Sequence, residues 1–286
     1  MNPDIKAFFD RATSTVTYVV SDPATGAAAV IDPVLDYDAA AGRTATASAD
    51  AVVDHVRQAG LTVRWVLDTH VHADHLSAMD HLKGVLGAAT GIGDQVGRVQ
   101  ETFRAVYGLG DAFAADGRQF DRLFGDGETF AIGNLTATVL HVPGHTPACS
   151  AYLIGDACFV GDTLFMPDYG SARCDFPNGD ARALYRSVRR LLDLPGETRL
   201  FMCHDYGAEG RDIAWETTVA AQRAGNIHLH DGVTEDDFVA MRTARDRELN
   251  MPALILPAVQ VNIRAGRLPD AEAGGGRFLK IPLNVF

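Results

Sequence analysis

Residues 70–75 of the chain read His-Val-His-Ala-Asp-His, so four potential metal ligands fall within six positions. They follow a short apolar segment, Val63–Leu67, whose composition predicts a strand. In a helix only residues three or four positions apart share a face, so His70 and His72 can converge only from a loop. Crowded imidazoles repel one another when protonated, and a metal ion relieves that repulsion because it binds the neutral ring. The stretch therefore predicts a metal site in a loop at a strand end, rather than a row of solvated histidines.

Three more candidate ligands lie where other predicted strands end. His145 belongs to a Pro-Gly-His-Thr turn, Asp162 to Gly-Asp-Thr, and His204 to Cys-His-Asp-Tyr. Ligands that separate loops bring to one end of a sheet form an open site with room for water and a substrate. The full set of candidate ligands is His70, His72, Asp74, His75, His145, Asp162 and His204.

The apolar pattern around these loops predicts two similar β-rich halves flanked by helices. The first half begins with a hairpin, Thr15–Val20 and Ala27–Ile31, joined by a turn that contains Asp, Pro and Gly. The second half contains two predicted hairpins, at 129–142 and 150–160, and a strand at 199–202 that runs into His204. Apolar residues at helical spacing predict helices at 50–59, 76–86, 95–107, 181–192, 213–224 and 235–249.

The composition excludes several classes of protein. Of the 286 residues 47% are apolar and 22% charged, which is typical of a folded globular protein. The net charge is −12, which argues against a nucleic-acid partner because phosphate binding requires clustered bases. No segment approaches the roughly 18 apolar residues of a membrane span, and the first residues lack a secretory-signal pattern. The four cysteines form no Cys-x-x-Cys pair. We therefore expect a cytoplasmic protein without membrane contact.

Together, His-x-His-x-Asp-His, Pro-Gly-His-Thr, Gly-Asp-Thr and the final His resemble the motif set of the metallo-β-lactamase superfamily. The resemblance covers about residues 10–210. It implies an α/β (α+β) fold, the αββα metallo-β-lactamase sandwich, in which two packed mixed β-sheets are flanked by helices and the metal lies at one edge. We expect a single domain over residues 1–286. Residues 211–286 would then be a C-terminal helical extension and tail that completes the cleft.

Finer matches resemble one branch of that superfamily, the ethylmalonic-encephalopathy-type persulfide dioxygenases. These matches are Thr17-Tyr18, residues 29–35, Arg173-Cys174-Asp175-Phe176, Leu194-Pro195-Gly196, His204-Asp205-Tyr206 and Val261-Asn262-Ile263-Arg264. The resemblance implies an enzyme that uses O2 to oxidise glutathione persulfide, or a similar low-molecular-weight persulfide, to sulfite and thiol. It implies one Fe(II) per chain, held by the catalytic residues His70, His145 and Asp162. A homodimer is also expected. The remaining four candidates, His72, Asp74, His75 and His204, would hold waters and orient the ligands.

Two other functions stay open because the sequence has a residue able to bind metal at all seven positions of the motif set. A dinuclear zinc hydrolase of the glyoxalase II or lactonase type, with one or two Zn(II) per chain, would act on a thioester or lactone. It would use His72, Asp74, His75 and His204 for a second metal. A metal-stabilised binding module would use the same ligands without catalysis. The sequence around 166–176 resembles a bacterial branch that includes β-lactamase-like hydrolases, and 91–121 is longer than in animal dioxygenases. We expect both segments near the cleft.

The negative charge of the chain bears on how a substrate is held. Glutathione carries two carboxylates, so an enzyme of net charge −12 must supply local positive charge. Arg173 is the first candidate, because a guanidinium can hold a carboxylate with two hydrogen bonds. Tyr206 and Arg264 are weaker candidates. The alternative role for Arg173 is an ion pair with Asp175 or Asp168.

Overall fold

The computed structural model describes residues 2–285, which contain fifteen strands and seven α-helices. The strands are β1 (Asp4–Asp10), β2 (Thr15–Ser21), β3 (Ala27–Ile31), β4 (Val34–Asp38), β5 (Arg43–Ala45), β6 (Thr62–Leu67), β7 (Leu76–Ser77), β8 (Ala89–Gly93), β9 (Arg122–Phe124), β10 (Thr129–Ile132), β11 (Leu135–His141), β12 (Ser150–Ile154), β13 (Ala157–Phe159), β14 (Arg199–Phe201) and β15 (Glu216–Thr218). The helices are α1 (Ala47–Gln58), α2 (Met79–Leu86), α3 (Val96–Val106), α4 (Ala181–Leu192), α5 (Val219–Gly225), α6 (Glu235–Asp246) and α7 (Ile255–Asn262). None of the helices in this part of the chain has the length and apolar character needed to cross a membrane.

Twelve strands form two sheets of six. The first sheet has the order β1-β2-β3-β6-β8-β9, and the second the order β10-β11-β12-β13-β14-β15. In both sheets antiparallel hairpin strands are followed by a parallel neighbour, since β3 pairs with β6 and β13 with β14. A parallel neighbour requires a crossover connection, which contains α1 in the first sheet and α4 in the second. The strands β5, β4 and β7 form a small third sheet.

Three apolar cores define the order of the layers. Between the two large sheets, Tyr18 of the first packs against Phe159 of the second, with ring centroids 5.1 Å apart. The outer face of the first sheet packs against α1, α2, α3 and α7, where Val52 is buried. The outer face of the second sheet packs against α4 and α6 through Leu184 and Phe238. The layers are therefore helix, sheet, sheet and helix, and the expected fold class is confirmed.

Backbone contacts join the two sheets at one edge. The amide of Val16 in β2 donates to the carbonyl of Cys203, just beyond β14, at 2.7 Å. The Tyr18 hydroxyl donates to the Met202 carbonyl at 2.5 Å, and Thr15 forms a β-bridge with His204. These contacts fix the end of β14 against the start of β2. They therefore determine where His204 lies relative to the first sheet.

Two predicted helices are wrong in their first turns. The helix expected at 213–224 is replaced by β15 and α5, because Glu216–Thr218 pairs with the otherwise open edge of β14. Pairing satisfies backbone groups that would be left without partners at that edge, and this outweighs the helical periodicity. The helix expected at 76–86 begins only at Met79, since Leu76 and Ser77 pair with β4.

Several elements lack a clear pattern in the sequence. Strand β8 reads Ala-Thr-Gly-Ile-Gly, which is poor in strand-forming residues. It is a strand because it pairs with β6 on one side and β9 on the other. Its glycines allow close packing, since a Cβ at Gly91 would lie 2.5 Å from the Phe124 ring. The tail expected after residue 250 contains α7, whose Pro257 lies in the first turn, where proline is tolerated.

Candidate metal centre

All seven candidate ligands lie at the edge where the sheets are joined. The loop between β6 and β7 carries His70, His72, Asp74 and His75. His145 lies between β11 and β12, Asp162 in a short 3₁₀ turn after β13, and His204 just after β14. Six of the seven are buried and Asp74 is half-buried. The structure thus brings together every ligand that the sequence predicts.

The primary cluster consists of His70, His145 and Asp162, whose ligand atoms lie within 4.8 Å of one another. Nε2 of His70 is 3.8 Å from Oδ2 of Asp162, and Nε2 of His145 is 3.7 Å from the same oxygen. Both separations are too long for a hydrogen bond. They fit atoms that converge on one ion at about 2.0–2.2 Å each.

A further contact fixes each imidazole of the primary cluster. Nδ1 of His145 lies 2.8 Å from the carbonyl oxygen of Arg173, and Nδ1 of His70 lies 3.1 Å from the Thr69 hydroxyl. A carbonyl only accepts, so Nδ1 of His145 donates and its Nε2 carries the lone pair. Histidines that ligate metals usually donate their other ring nitrogen in this way.

Burial and neighbouring charges determine the protonation of the cluster. Burial, reinforced by His72 and His145, holds the pKa of His70 well below its usual range. Burial also lowers the pKa of His75 to about 3. Both rings are neutral as a result, which is the form that binds a metal. Burial raises the pKa of the Asp162 carboxyl against the opposing effect of nearby imidazoles. A bound cation would compensate for that buried carboxylate.

A second cluster lies beside the first and consists of His72, His75, Cys203 and His204. The rings of His72 and His75 are 4.2 Å apart. Nε2 of His204 lies 3.0 Å from Oδ2 of Asp74 and 3.3 Å from Oδ1 of Asp162. Asp162 therefore contacts residues of both clusters, and the arrangement can hold one metal ion or two.

Unpaired polar atoms show that the site fits a metal. Among the side chains that the structure describes, seven buried nitrogen or oxygen atoms lack a hydrogen-bond partner. Five of them belong to the two clusters: His70 Nε2, His72 Nδ1, His75 Nε2, Asp162 Oδ1 and His204 Nε2. His204 Nε2 lies near the carboxylates of Asp74 and Asp162, but in a geometry that forms no hydrogen bond. A buried polar atom without a hydrogen bond is costly, so five in one place indicate a group that the protein binds.

Asp32 anchors the ligand loop, although the sequence pattern marks it only as the end of a strand. Its carboxylate accepts from the Thr69 amide at 2.7 Å and lies 2.9 Å from Nε2 of His72. Burial alone would lower the pKa of His72, but the Asp32 carboxylate raises it to about 9. Asp32 has a φ of 51°, a left-handed conformation that Asp tolerates better than most residues. No spacing rule would have assigned it this role.

Asn262, in the last turn of α7, holds the same loop from the other side. Its side-chain Nδ2 donates to the carbonyls of His72 and His75, each at 2.8 Å. Its Oδ1 accepts from the Ser77 amide at 2.8 Å. The C-terminal extension thus reaches the metal centre through one buried amide.

We expect Asn262→Ala to lower the free energy of unfolding by about 2–5 kcal/mol, because it leaves three buried backbone groups unpaired. Urea denaturation of the variant would measure this. Asn250→Ala is the matched control, since Asn250 is exposed and only its backbone carbonyl is used. Equal stability of the two variants would contradict the proposed role of Asn262.

An open cleft of about 470 Å³ leads to the primary cluster and is lined in part by His145 and Asp162. Its aromatic lining residues are Phe165, Tyr169, Phe176 and Tyr206. Tyr206 is 45% exposed, and its ring lies parallel to His204 with centroids 6.2 Å apart. Tyr206 therefore lies in the cleft, where a substrate-binding residue would be needed.

The two segments expected near the cleft differ in their placement. Five residues of 166–176 line it, namely Tyr169, Ser171, Ala172, Arg173 and Phe176. Of the described residues none in 91–121 lines it, because α3 instead packs Val99 and Phe103 into the core beneath the first sheet.

The two arginines expected to hold substrate are occupied elsewhere. Arg173 lines the cleft, but its guanidinium donates twice to Asp175, at 2.5 and 2.6 Å, and once to the Asn250 carbonyl at 2.6 Å. Arg264 lines a different cavity, where it donates to the Gln260 carbonyl at 2.5 Å and covers the Phe113 ring at 4.9 Å. The ion pair with Asp175 is thus the contact that Arg173 makes. At the metal centre Arg173 contributes its backbone carbonyl, which accepts from His145, rather than its charged side chain.

Two arginines that the sequence did not single out also line the cleft, namely Arg242 and Arg245 of α6. No local signal distinguishes them from the other arginines of the chain. Their position depends on how the C-terminal extension packs.

The fold and the site together define a metalloenzyme of the αββα type, with buried ligands at the edge of two sheets and a cleft that leads to them. Residues 10–204 match the family model described as "Metallo-beta-lactamase superfamily", and the chain belongs to that superfamily.

One group of curated relatives carries names of hydrolases or of a glyoxylase. A "Probable metallo-hydrolase" of Burkholderia pseudomallei strain 1710b is 56% identical over 98% of this chain and 99% of the relative. A "Beta-lactamase hydrolase-like protein" of Agrobacterium fabrum is also 56% identical over 99% of the chain, which spans only 65% of that relative. "Glyoxylase B2" of Dictyostelium discoideum is 47% identical over 98% of this chain and 97% of the relative.

A second group of similar proteins carries a different name. The crystal structure of ETHE1 from Myxococcus xanthus superposes with a TM-score of 0.73 and 32% identity, over 92% of this chain and all of that one. The human protein named "Persulfide dioxygenase ETHE1, mitochondrial" is 28% identical over 92% of this chain and 88% of its own length.

Proposed function

We propose that the chain is a sulfur dioxygenase with one iron, which oxidises a low-molecular-weight persulfide such as glutathione persulfide to sulfite and thiol. The observation that carries the proposal is the primary cluster, with two imidazoles and one carboxylate on one side of an open cleft. The balanced reaction joins one persulfide, one O2 and one water to give one thiol, one sulfite and two protons.

Two histidines and one carboxylate are the ligand set typical of non-haem Fe(II) oxygenases, because they leave coordination positions open. His70, His145 and Asp162 would hold the ion. When bound, ferrous iron supplies those open positions and the redox chemistry that a reaction with O2 requires.

The residues of the chain provide orientation and a partly apolar surrounding. The Arg173 carbonyl and the Thr69 hydroxyl hold the two imidazoles, so that each Nε2 faces Asp162. Phe165 and Phe176 line the cleft beside the cluster and displace water from it. The ring of Phe176 meets His145 edge-on, with centroids 4.9 Å apart.

The likeness to ETHE1 supports the proposal, since the structural match covers 92% of the chain and the human relative is named a persulfide dioxygenase. The ligand set is compatible with that name. A shared fold alone would not decide the reaction.

The second candidate function is a zinc hydrolase with two ions, acting on a thioester or lactone. Three ring nitrogens that form no hydrogen bond to any described residue, on His72, His75 and His204, favour it because they could complete a second metal position. The relatives named metallo-hydrolase and Glyoxylase B2 support the same alternative.

Metal content and O2 consumption separate the two functions. Protein purified without added metal should contain about one iron per chain by elemental analysis. Loaded anaerobically with Fe(II), it should consume O2 and release sulfite only after glutathione persulfide is added. It should leave S-lactoylglutathione intact. Two zinc ions per chain together with thioester hydrolysis and no O2 uptake would overturn the proposal in favour of the hydrolase.

A further inference from the structure

We infer that Arg245 is the residue that binds a carboxylate of an anionic thiol substrate in the cleft. The inference rests on the proposed function in one respect, namely that the ligand is a thiol such as glutathione. It assigns a substrate contact to a residue that the motifs do not mark.

Three arginines line the cleft, and two of them are committed to the protein itself. Arg173 uses its guanidinium on Asp175 and on the Asn250 carbonyl. Arg242 is only 2% exposed and donates to Asp246 at 2.8 Å and to the Ser171 carbonyl at 3.2 Å. Freeing Arg242 would leave the buried Asp246 carboxylate without its partner, which is costly. Freeing Arg173 would break both hydrogen bonds to Asp175 and the one to the Asn250 carbonyl.

Arg245 differs from both. It lies in the last turn of α6 and is exposed. Within the described part of the chain its guanidinium forms no hydrogen bond or ion pair with another residue, whereas Arg242 on the same helix pairs with Asp246. Five N–H donors of Arg245 are therefore available to a ligand in the cleft.

The rest of the cleft shows which ligand that cation suits. Of its lining carboxylates, Asp162 belongs to the primary cluster and Asp74 lies 3.0 Å from Nε2 of His204. The lining residues Phe165, Phe176 and Leu254 are apolar. A molecule with a sulfur for the metal centre and a carboxylate for Arg245 would use the metal centre and the guanidinium that has no partner in the described part of the protein. Because the net charge of the chain is −12, the field of the whole protein repels such an anion, and a local guanidinium must offset this.

Binding of glutathione itself tests the inference without requiring turnover. We expect Arg245→Gln to weaken the affinity of metal-loaded enzyme for glutathione about tenfold by isothermal titration calorimetry, since a hydrogen bond between charged groups is lost. Arg247→Gln is the matched control and should bind glutathione as the wild type does. Arg247 is also exposed and lies two residues further on, but outside the lining of the cleft.

The diethyl ester of glutathione, which lacks both carboxylates, separates a charge contact from a structural role. Its affinity should be equal for the wild type and Arg245→Gln. Unchanged glutathione affinity in Arg245→Gln, an equal loss in Arg247→Gln, or an equal loss for the ester would each overturn the inference. Absence of glutathione binding by the wild type would overturn it as well. Glutathione binding that depends on Arg245, without O2 uptake on glutathione persulfide, would instead reject the dioxygenase and leave the contact in place.

Discussion

Replacing Asp162 with Ala is expected to weaken metal binding by more than about 100-fold and to reduce activity in parallel. Asp162 supplies the only carboxylate of the primary cluster, within 3.8 Å of Nε2 of both histidines. Loss of groups that merely support a ligand costs about 10–100-fold in affinity, so loss of the ligand itself should exceed this. Elemental analysis after dialysis against a chelator, with titration of Fe(II) into the apoprotein, measures the effect.

Stability of the apoprotein distinguishes lost metal binding from lost folding. Burial raises the pKa of Asp162, so its carboxylate destabilises the metal-free protein, and Asp162→Ala should melt no lower than the apo wild type. Asp111→Ala is the control, because the Asp111 side chain is fully exposed and belongs to neither cluster. Metal retention by Asp162→Ala equal to that of Asp111→Ala would show that Asp162 is no ligand.

Replacing Gly144 with Ala is expected to lower the free energy of unfolding by about 3 kcal/mol or more. Gly144 has a φ of 144°, and a Cβ there would lie 2.3 Å from both Cα and N of Leu184. Leu184 is a fully buried residue of α4, so its backbone cannot move aside without disturbing the core. Strain of this kind is among the few causes of large effects from single substitutions.

A loss of that size corresponds to a decrease in Tm of roughly 6–12 °C for a chain of this length. Because Gly144 precedes His145, we also expect the Gly144→Ala molecules that remain folded to bind metal more weakly than the wild type. Gly84→Ala is the matched control, since Gly84 lies in α2 with nothing within 4 Å of an added Cβ. It should leave stability unchanged or raise it by up to about 1 kcal/mol. A Gly144 variant as stable as the Gly84 variant would contradict the argument.

Much of the fold was predictable because its strongest signals are local. The hairpin of β2 and β3, the helix α4 and the strand β6 each have a regular apolar period and clear turn residues at their ends. The strands β8 and β15 lack such a period. They are strands because neighbouring strands offer unpaired backbone groups, and that neighbourhood exists only in the folded chain.

The metal centre shows the same division. That its candidate ligands lie together was predictable, because four fall within six residues and the others occupy short, specific turns. Asp32 and Asn262 lie in segments that match the dioxygenase branch, but their role in holding the ligand loop was not predicted. Their partners lie 40 and 190 residues away along the chain, and a buried hydrogen bond over such a distance has no signature in either segment.

The sequence by itself determined the family, the fold and the seven candidate ligands, because residues that bind one metal must have particular chemistry at particular spacings. The tertiary structure alone decided which arginine is available to a substrate. Arg173 follows the motif but is held by Asp175 and by a carbonyl 77 positions away, whereas Arg245 is exposed in the cleft. Charge on a side chain is a property of the residue type, but its availability depends on which partners the packed chain places beside it.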